Sequence, residues 1–334
     1  MAPCVTVLMS VHNSERYLAE AIGSIVRQTF TDFEFLIVND GSTDGTLRIV
    51  EACPDPRIRL IHNGCNLGLA ASLNRGFAQS AGRYIVRMDA DDIALPDRLE
   101  KQVAFMEREM HIGVCGSWYE MFGDRSRVVK TRAGHADIRD TLFFRNCIAH
   151  STVCMRRKSF ENCAGPYNEA YLYAQDYELW CRTVDTLTFA GVQEVLLRYR
   201  VHGLQAGTCR IRQQDAFADR VRRHNLLGIG LRLSPDEEGM YFDMTGERFA
   251  PVNGKEVRAA AALLEKIYRA GRDGHGSMFR NMLRSYMKPL PARSIELKSA
   301  SPALFAVFAR WGLLPTAGSK LRYVRECCKN LAGV

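Results

Sequence analysis

Four short apolar runs, recurring through the first 88 residues, constrain the fold of this chain more than any other feature. Val5–Val11, Phe33–Asn39, Ile58–His62 and Arg83–Met88 read as strands, the first two as buried ones. Helical patterns fill the intervals. Leu18, Ile22 and Ile25 recur at helical spacing in a segment that Ser14 would cap and that runs through Gln28. Asp40-Gly41-Ser42-Thr43-Asp44-Gly45 reads as a turn leading into a capped helix to about Glu51, and Asn66 opens a third helix through about Gln79. Strand and helix in strict alternation predict an α/β fold with a parallel sheet of nucleotide-binding character. No G-x-G-x-x-G follows the first strand and no G-x-x-x-x-G-K-[ST] occurs, which disfavours a dinucleotide oxidoreductase and a P-loop enzyme.

The fourth strand ends in Asp89-Ala90-Asp91-Asp92, three carboxylates within four positions, and Pro96-Asp97 then starts a helix. The cluster therefore falls at the carboxyl end of a strand, where open α/β sheets bind ligands. Asp89 and Asp91, two apart, can aim oxygens at one hard divalent cation that also holds diphosphate oxygens. A solvated acidic turn is the bland alternative. A phosphatase of the haloacid dehalogenase type would place Thr or Val where Ile93 stands, and it leaves the Asp40 turn unexplained.

Composition narrows the class. The 334 residues suffice for one large or two modest cores, and 47% hydrophobic with 25% charged residues suits a folded soluble protein. A formal charge of +8 favours an anionic partner, but no nucleic-acid-binding motif accompanies it. No apolar run is long enough to span a bilayer and no signal peptide is expected, so the expected location is the cytoplasm. The eleven cysteines lack C-x-x-C spacing, and Cys327-Cys328 are adjacent, which fits reduced thiols.

The run VTVLMSVHNSERYLAEAIGSIVRQTFTDFEFLIVNDGSTDGT followed by NLGLAASLNRGFAQSAGRYIVRMDADD resembles the nucleotide-binding half of family 2 inverting glycosyltransferases with the GT-A fold. The resemblance extends over about residues 3 to 205. It implies that Val11, His12 and Asn13 wall the base pocket, with His12 where many relatives carry Tyr. It also implies that Asp40 binds base or ribose, and that Glu15, Arg87, Asp89 and Ala90 belong to the donor site. Asp91 would be the direct metal ligand, Asp89 would hold ribose or reach the metal, and Asp92 would orient its neighbours. The expected ion is Mn or Mg, which would bridge the phosphates of a nucleoside diphosphate sugar.

Further along, Leu99–Met110 reads as a helix and Ile112–Phe122 as a strand, and Arg145–Arg156 is similar to the family's second-half strand. There His150 and Asn146 would contact acceptor hydroxyls, with a sheet-edge histidine the alternative for His150. Tyr171–Arg182 matches the segment carrying the base, so Asp176 would deprotonate the acceptor. Position 175 is Gln where Glu is common, leaving Asp176 as the only base in the motif. Leu172, Leu179 and Trp180 are expected in the core. Tyr199-Arg200-Val201-His202-Gly203-Leu204-Gln205 resembles Y-R-x-H-x-x-Q, which implies Arg200 on the diphosphate and His202 on the metal. The processive motif Q-x-x-R-W is absent, so transfer of single sugars is expected.

The resemblance fades after about residue 208. The expected organisation is a catalytic domain over 1–208, with halves of about 1–110 and 111–208, followed by a helical region over 209–334. Helices are expected at 211–230, 254–272 and 276–287. In Pro302–Leu314, Trp311 and Arg310 suit either a membrane surface, on the inner face of the cytoplasmic membrane, or packing of these helices against the catalytic domain. The expected acceptor is a cell-surface glycan or its lipid-linked precursor. A glycan-binding protein on a degenerate transferase fold and a nucleotidyltransferase are the rivals. The former has no need of Asp176, and the latter needs a Gly- and Arg-rich loop where His12-Asn13-Ser14-Glu15-Arg16 stands.

Overall fold

The computed structural model describes residues 2–160, 166–203, 210–246, 248–296, 300–314 and 317–332, the side chains of 317 and 328–332 excepted. Gln205 and the 208/209 boundary lie outside the described residues. The chain divides into two compact units. One comprises Met1–Leu142 with Asn146–Ala218, the other Phe143–Arg145 with Asp219–Val334.

In the first unit, β1 (Val5–Val11), β2 (Phe33–Asn39), β3 (Ile58–His62) and β4 (Tyr84–Met88) alternate with α1 (Leu18–Val26), α2 (Thr46–Glu51) and α3 (Leu69–Gln79). The strands are parallel in the order β3-β2-β1-β4. Residues along β1 and β2 are buried almost without interruption, as expected of strands covered on both faces. Helix α3 comes so close to the sheet that a Cβ on Gly76 would stand 2.4 Å from Leu8 Cδ1. Only the missing side chain permits that approach. Helix α1 begins at Leu18, after a turn in which the Ser14 carbonyl accepts from Tyr17 and Leu18 N–H. Ser14 therefore does not cap it with its side chain, whose hydroxyl donates to His12 O instead.

The remainder of this unit adds β5 (Ile93–Ala94), α4 (Arg98–Arg108), β6 (Ile112–Gly123), β7 (Arg127–Val129), α5 (His135–Leu142), β8 (Cys154–Arg156), α6 (Gln175–Thr183) and β9 (Thr188–Val201). The sheet continues from β4 through β8, β6 and β9 to β5, with β7 paired to β6. Here the pairing is mixed, antiparallel at β4·β8 and β6·β8 and parallel at β6·β9. The segment 145–156 is mostly not strand: His150–Thr152 is a 3₁₀ turn, and only Cys154–Arg156 pairs in the sheet. Leu179 and Trp180 are fully buried as expected. Leu172 is not a core residue. It precedes α6 and is 66% exposed, because the left-handed Ala174 (φ 54°) breaks the helical pattern between them.

The sheet order reverses at β1, which lies between β2 and β4 although β2 follows it directly in the chain. Ligands of open α/β sheets sit at such a switch point, beyond the carboxyl ends of the strands.

The second unit is helical. After α7 (Ile211–Gly228), which runs across the division at Ala218, come α8 (Pro235–Thr245), α9 (Gly254–Gly271), α10 (Ser277–Met287), α11 (Leu290–Glu296), α12 (Pro302–Arg310) and α13 (Ala317–Ala332). Its core includes Phe143, Phe144, Leu264, Phe279, Phe308 and Tyr323. Trp311 is 4% exposed and donates its Nε1–H to Glu265 Oε1 at 2.5 Å, while Arg310 Nη1 lies 3.2 Å from the same carboxylate. Trp311 thus packs within this helical unit. Cys327 is buried beside this core. No described helix is long and apolar enough to cross a membrane.

Candidate active site

The loops that leave β1 and β2 are adjacent because their strands are, and polar contacts stitch them together. His12 Nδ1 lies 2.8 Å from Asp40 O, a contact that requires the Nδ1–H tautomer and leaves Nε2 as an acceptor. Asn13 adopts φ 48°, and its Oδ1 accepts from Thr43 N at 2.9 Å. Glu15 carries its carboxylate to Gly45 N at 2.7 Å, while its own N–H donates to Asp44 Oδ2. Asp44 Oδ1 also accepts from Thr46 N at 3.0 Å, fixing the start of α2.

Asp40 is buried and organises the next loop. Its Oδ1 accepts from Asn63 Nδ2 and Leu67 N, both at 2.8 Å, and its Oδ2 from Gly68 N at 2.9 Å. Asn66–Gly68 thus wraps around this carboxylate before α3, with Gly68 at φ 91°, a conformation that suits glycine. The third helix consequently starts at Leu69 rather than Asn66.

At the end of β4, Asp89, Asp91 and Asp92 each offer a carboxylate oxygen within 4.8 Å of the others. Asp89 pairs with Arg87, a side chain only 1% exposed on the strand itself. Burial raises the Asp89 pKa and the Arg87 charge opposes it. Asp92 is fully buried, and burial together with repulsion from Asp89 and Asp91 pushes its pKa well up. Its Oδ1 accepts from Arg200 N at 2.9 Å, tying the acidic turn to the end of β9. Beneath it, Arg98 donates to Arg87 O at 2.8 Å, and burial lowers its pKa to about 10. His202 Nε2 stands 3.0 Å from Asp91 Oδ2. Hard carboxylate oxygens with one imidazole converging from the end of β9 are a donor set that fits Mn or Mg.

Asp176 is the second residue of α6, brought to the cleft by the left-handed turn at Ala174. Its Oδ1 accepts from its neighbour Tyr177 N at 2.8 Å and its Oδ2 from Asn146 Nδ2 at 2.7 Å. Burial raises its pKa, and these two donors work against the rise. His150 is buried with Nε2 2.7 Å from the Tyr167 hydroxyl, and burial and the nearby Arg87 push its pKa well down, so it is neutral.

One cleft of about 560 Å³ joins these parts. His12, Asn13, Asp40, Arg87, Asp89, Ala90, Asp91, His150, Asp176 and His202 all line it. Val11, Glu15, Asn146 and Arg200 do not. Val11 is buried behind it. Glu15 latches the β2 loop, and Asn146 holds Asp176. Arg200 is turned to the back of the acidic turn, donating to Asp91 O at 2.8 Å and Glu20 Oε2 at 2.8 Å while lying over Tyr17. The cleft also takes in Tyr17, Tyr199, Leu172, Tyr173 and Gln214, which the sequence reading missed. Tyr17 was hidden in a helical pattern, and Gln214 comes from α7, past the point where any motif could mark it.

The family model for glycosyl transferase family 2 matches residues 6–164. An uncharacterized glycosyltransferase of Haemophilus influenzae is 35% identical over 237 residues, 67% of this chain and 73% of its own length. The chain belongs to glycosyltransferase family 2. A second family relative is the Escherichia coli UDP-Glc:alpha-D-GlcNAc-diphosphoundecaprenol beta-1,3-glucosyltransferase WfgD, 30% identical over 177 residues, 53% of this chain and 68% of that one. Among solved structures, Staphylococcus aureus TarS 1–349 in complex with UDP-GlcNAc superposes with a TM-score of 0.58 at 18% identity, covering 98% of this chain and 92% of that one. That likeness gives the GT-A fold, as the family membership leads one to expect.

Proposed function

We propose that this protein is a metal-dependent, inverting, non-processive hexosyltransferase. It would move one sugar from a nucleoside diphosphate donor, UDP-sugar foremost, to a hydroxyl of a cell-surface glycan or lipid-linked saccharide. The single observation that carries this reading is the cleft itself. It brings the β1 and β2 loops, an acidic cluster suited to a cation and a carboxylate of raised pKa against one continuous space of about 560 Å³. The UDP-GlcNAc complex of TarS supports the donor class, and the lipid-linked substrate named for WfgD supports the acceptor class.

In this mechanism His12 and Asn13 flank the base, with the ring of His12 available to stack on it. Asp40 keeps Asn66–Gly68 in place so that the wall of this pocket is preformed. Asp91, with Asp89 and His202, would hold Mn or Mg, which supplies charge neutralisation for the departing diphosphate. Arg87 holds Asp89 in orientation from within the strand. Asp176, ionised, takes the proton of the acceptor hydroxyl as that oxygen bonds to the anomeric carbon. The carbon's bond to the diphosphate oxygen breaks on the opposite face, the nucleoside diphosphate leaves with the electron pair, and configuration inverts. Arg200 acts as a brace for the acidic turn and no longer serves as the expected diphosphate ligand.

Sugar nucleotides are made in the cytoplasm, and the protein would work there at the inner face of the membrane. Residues 219–334 carry 20 Lys and Arg against 11 Asp and Glu, so the whole positive excess of the chain lies in the helical part, which supports contact with an anionic surface. The test is turnover of UDP-, GDP- and dTDP-sugars with and without Mn, for wild type and Asp176→Asn. Metal-dependent consumption of one donor, lost in the variant, is expected. Donor binding without turnover in either protein would instead favour a sugar-nucleotide-binding role.

A further inference from the structure

The wall of the cleft on the Asp176 side is apolar in a way the donor chemistry does not use. Leu172, Tyr173, Ala174, Gln175 and Asp176 line it as one continuous stretch, with Gln214 of α7 beside them. Among the described residues lining the cleft, Leu172 is the large hydrophobic side chain left in water, at 66% exposure. It is flanked by two tyrosines that share one aromatic support. The Phe217 ring lies 5.9 Å from that of Tyr171 and 5.8 Å from that of Tyr173. Arg210 hydrogen-bonds the Tyr173 hydroxyl and lies 5.8 Å from the centre of its ring. A leucine displayed on a braced aromatic shelf, in a concave site, is the pattern of a surface that a ligand covers.

Position defines what that ligand is. The hydroxyl that Asp176 deprotonates must lie at its carboxylate, and Leu172–Gln175, which line the same cleft immediately before Asp176, offer apolar surface to the body attached to that hydroxyl. We propose that Leu172, Tyr173 and Phe217 form an acceptor subsite that receives hydrocarbon, so that the acceptor is an amphiphilic glycoside with its sugar at Asp176 and its apolar aglycone over Leu172. This rests on the reading of Asp176 as the base. It accounts for the one sequence expectation in this segment that failed, because the leucine expected in the core is held at the mouth of the cleft.

The test uses full-length protein loaded with UDP and Mn and labelled with ¹³C at leucine methyls, Leu172 being assigned by the loss of its signals in Leu172→Ala. Octyl and methyl glycosides of glucose, galactose and N-acetylglucosamine are titrated in parallel. The octyl compounds are expected to shift the Leu172 methyls at concentrations about tenfold lower than the methyl compounds, the factor that covering one leucine-sized apolar surface provides. For any sugar that serves as acceptor, Leu172→Asp is expected to bring the octyl KM up to the methyl value. Because Leu172 is exposed, both variants keep the fold, and thermal melting checks it. Equal responses to octyl and methyl glycosides overturn the subsite even if sugar transfer is found. An octyl preference without turnover of any donor sustains the subsite and sinks the transferase reading.

Discussion

Asn146 Nδ2 donates to Asp176 Oδ2 at 2.7 Å, and Asn146 Oδ1 in turn accepts from Ile148 N at 3.2 Å. The amide is thereby oriented with its donor toward the carboxylate, and it favours the ionised form that a base requires. In the proposed mechanism Asn146 positions Asp176, in place of the acceptor contact that the sequence suggested. Asn146→Ala removes that donor while leaving the burial that raises the Asp176 pKa. The acid limb of the pH–rate profile for donor consumption is expected to move upward, so that the loss is greatest at the acid end of the profile and shrinks as pH rises. A uniform loss at all pH values would show that Asn146 acts only on geometry.

Asp176→Asn separates catalysis from stability. Loss of the base is expected to lower kcat by about 10²–10⁴ with the donor KM little changed. Stability is expected to move the other way. The folded-state pKa of Asp176 lies above its unfolded value, so its ionisation disfavours the folded state. The unfavourable contribution is absent below the unfolded pKa, near 3.9, grows as pH rises, and is complete above the folded pKa. The Asn variant should therefore melt at a higher temperature than wild type at pH 7.5, with the gap closing as pH falls towards 4. Melting curves at several pH values decide it.

The acidic turn predicts a graded metal dependence. Asp91 and His202 approach to 3.0 Å, and a bound ion would take the place of that contact. His202→Ala is expected to raise the Mn concentration needed for UDP binding by about 10–100-fold, and Asp91→Asn to raise it further. Calorimetric titration of UDP at stepped Mn concentrations measures both. Chelation should abolish tight UDP binding in wild type, and unchanged affinity in the presence of chelator would refute the metal assignment.

Much of this was legible because the first four strands are buried on both faces, so their apolar runs stand out, and the acidic cluster ends the fourth. Failures came where a partner is remote in sequence or a single backbone torsion resets the pattern. Ala174 in the left-handed region turns Leu172 outward, and no periodicity announces it. Trp311 left two readings open because its partner Glu265 lies on another helix. Arg200 resembled a phosphate ligand, yet Glu20 and the Asp91 carbonyl claim its guanidinium. Of the helices the sequence reading missed, α5, α8, α11 and α13, α8 carried its signal openly. Ser234-Pro235-Asp236-Glu237 forms a capping box, with Glu237 N donating to Ser234 Oγ at 3.3 Å and Ser234 N donating to Glu237 Oε2 at 2.9 Å.

Asp40 offers the sharpest test of how the pocket is built. Three donors converge on its carboxylate, two of them backbone amides of the loop that leads into α3. A carboxylate has about four acceptor positions, so the protein itself occupies most of them, and the part left for a base or ribose is small. Asp40→Ala would take the acceptor of Leu67 N and one of two acceptors from Asn63 Nδ2 and Gly68 N, which keep Ser72 Oγ and Asn66 Oδ1, at a cost of about 1–3 kcal/mol for a donor that stays buried and unpaired. The expected outcome is a marked fall in melting temperature together with weakened UDP binding. Asp40→Asn distinguishes the two contributions, because its amide oxygen still accepts two of the three donors while its NH₂ faces the third. If Asp40 acts chiefly on the loop, the Asn variant should lose stability and UDP affinity in parallel, and excess UDP-sugar donor should restore turnover. If Asp40 is instead a nucleotide ligand in its own right, UDP affinity should fall with the melting temperature of the unliganded protein nearly unchanged.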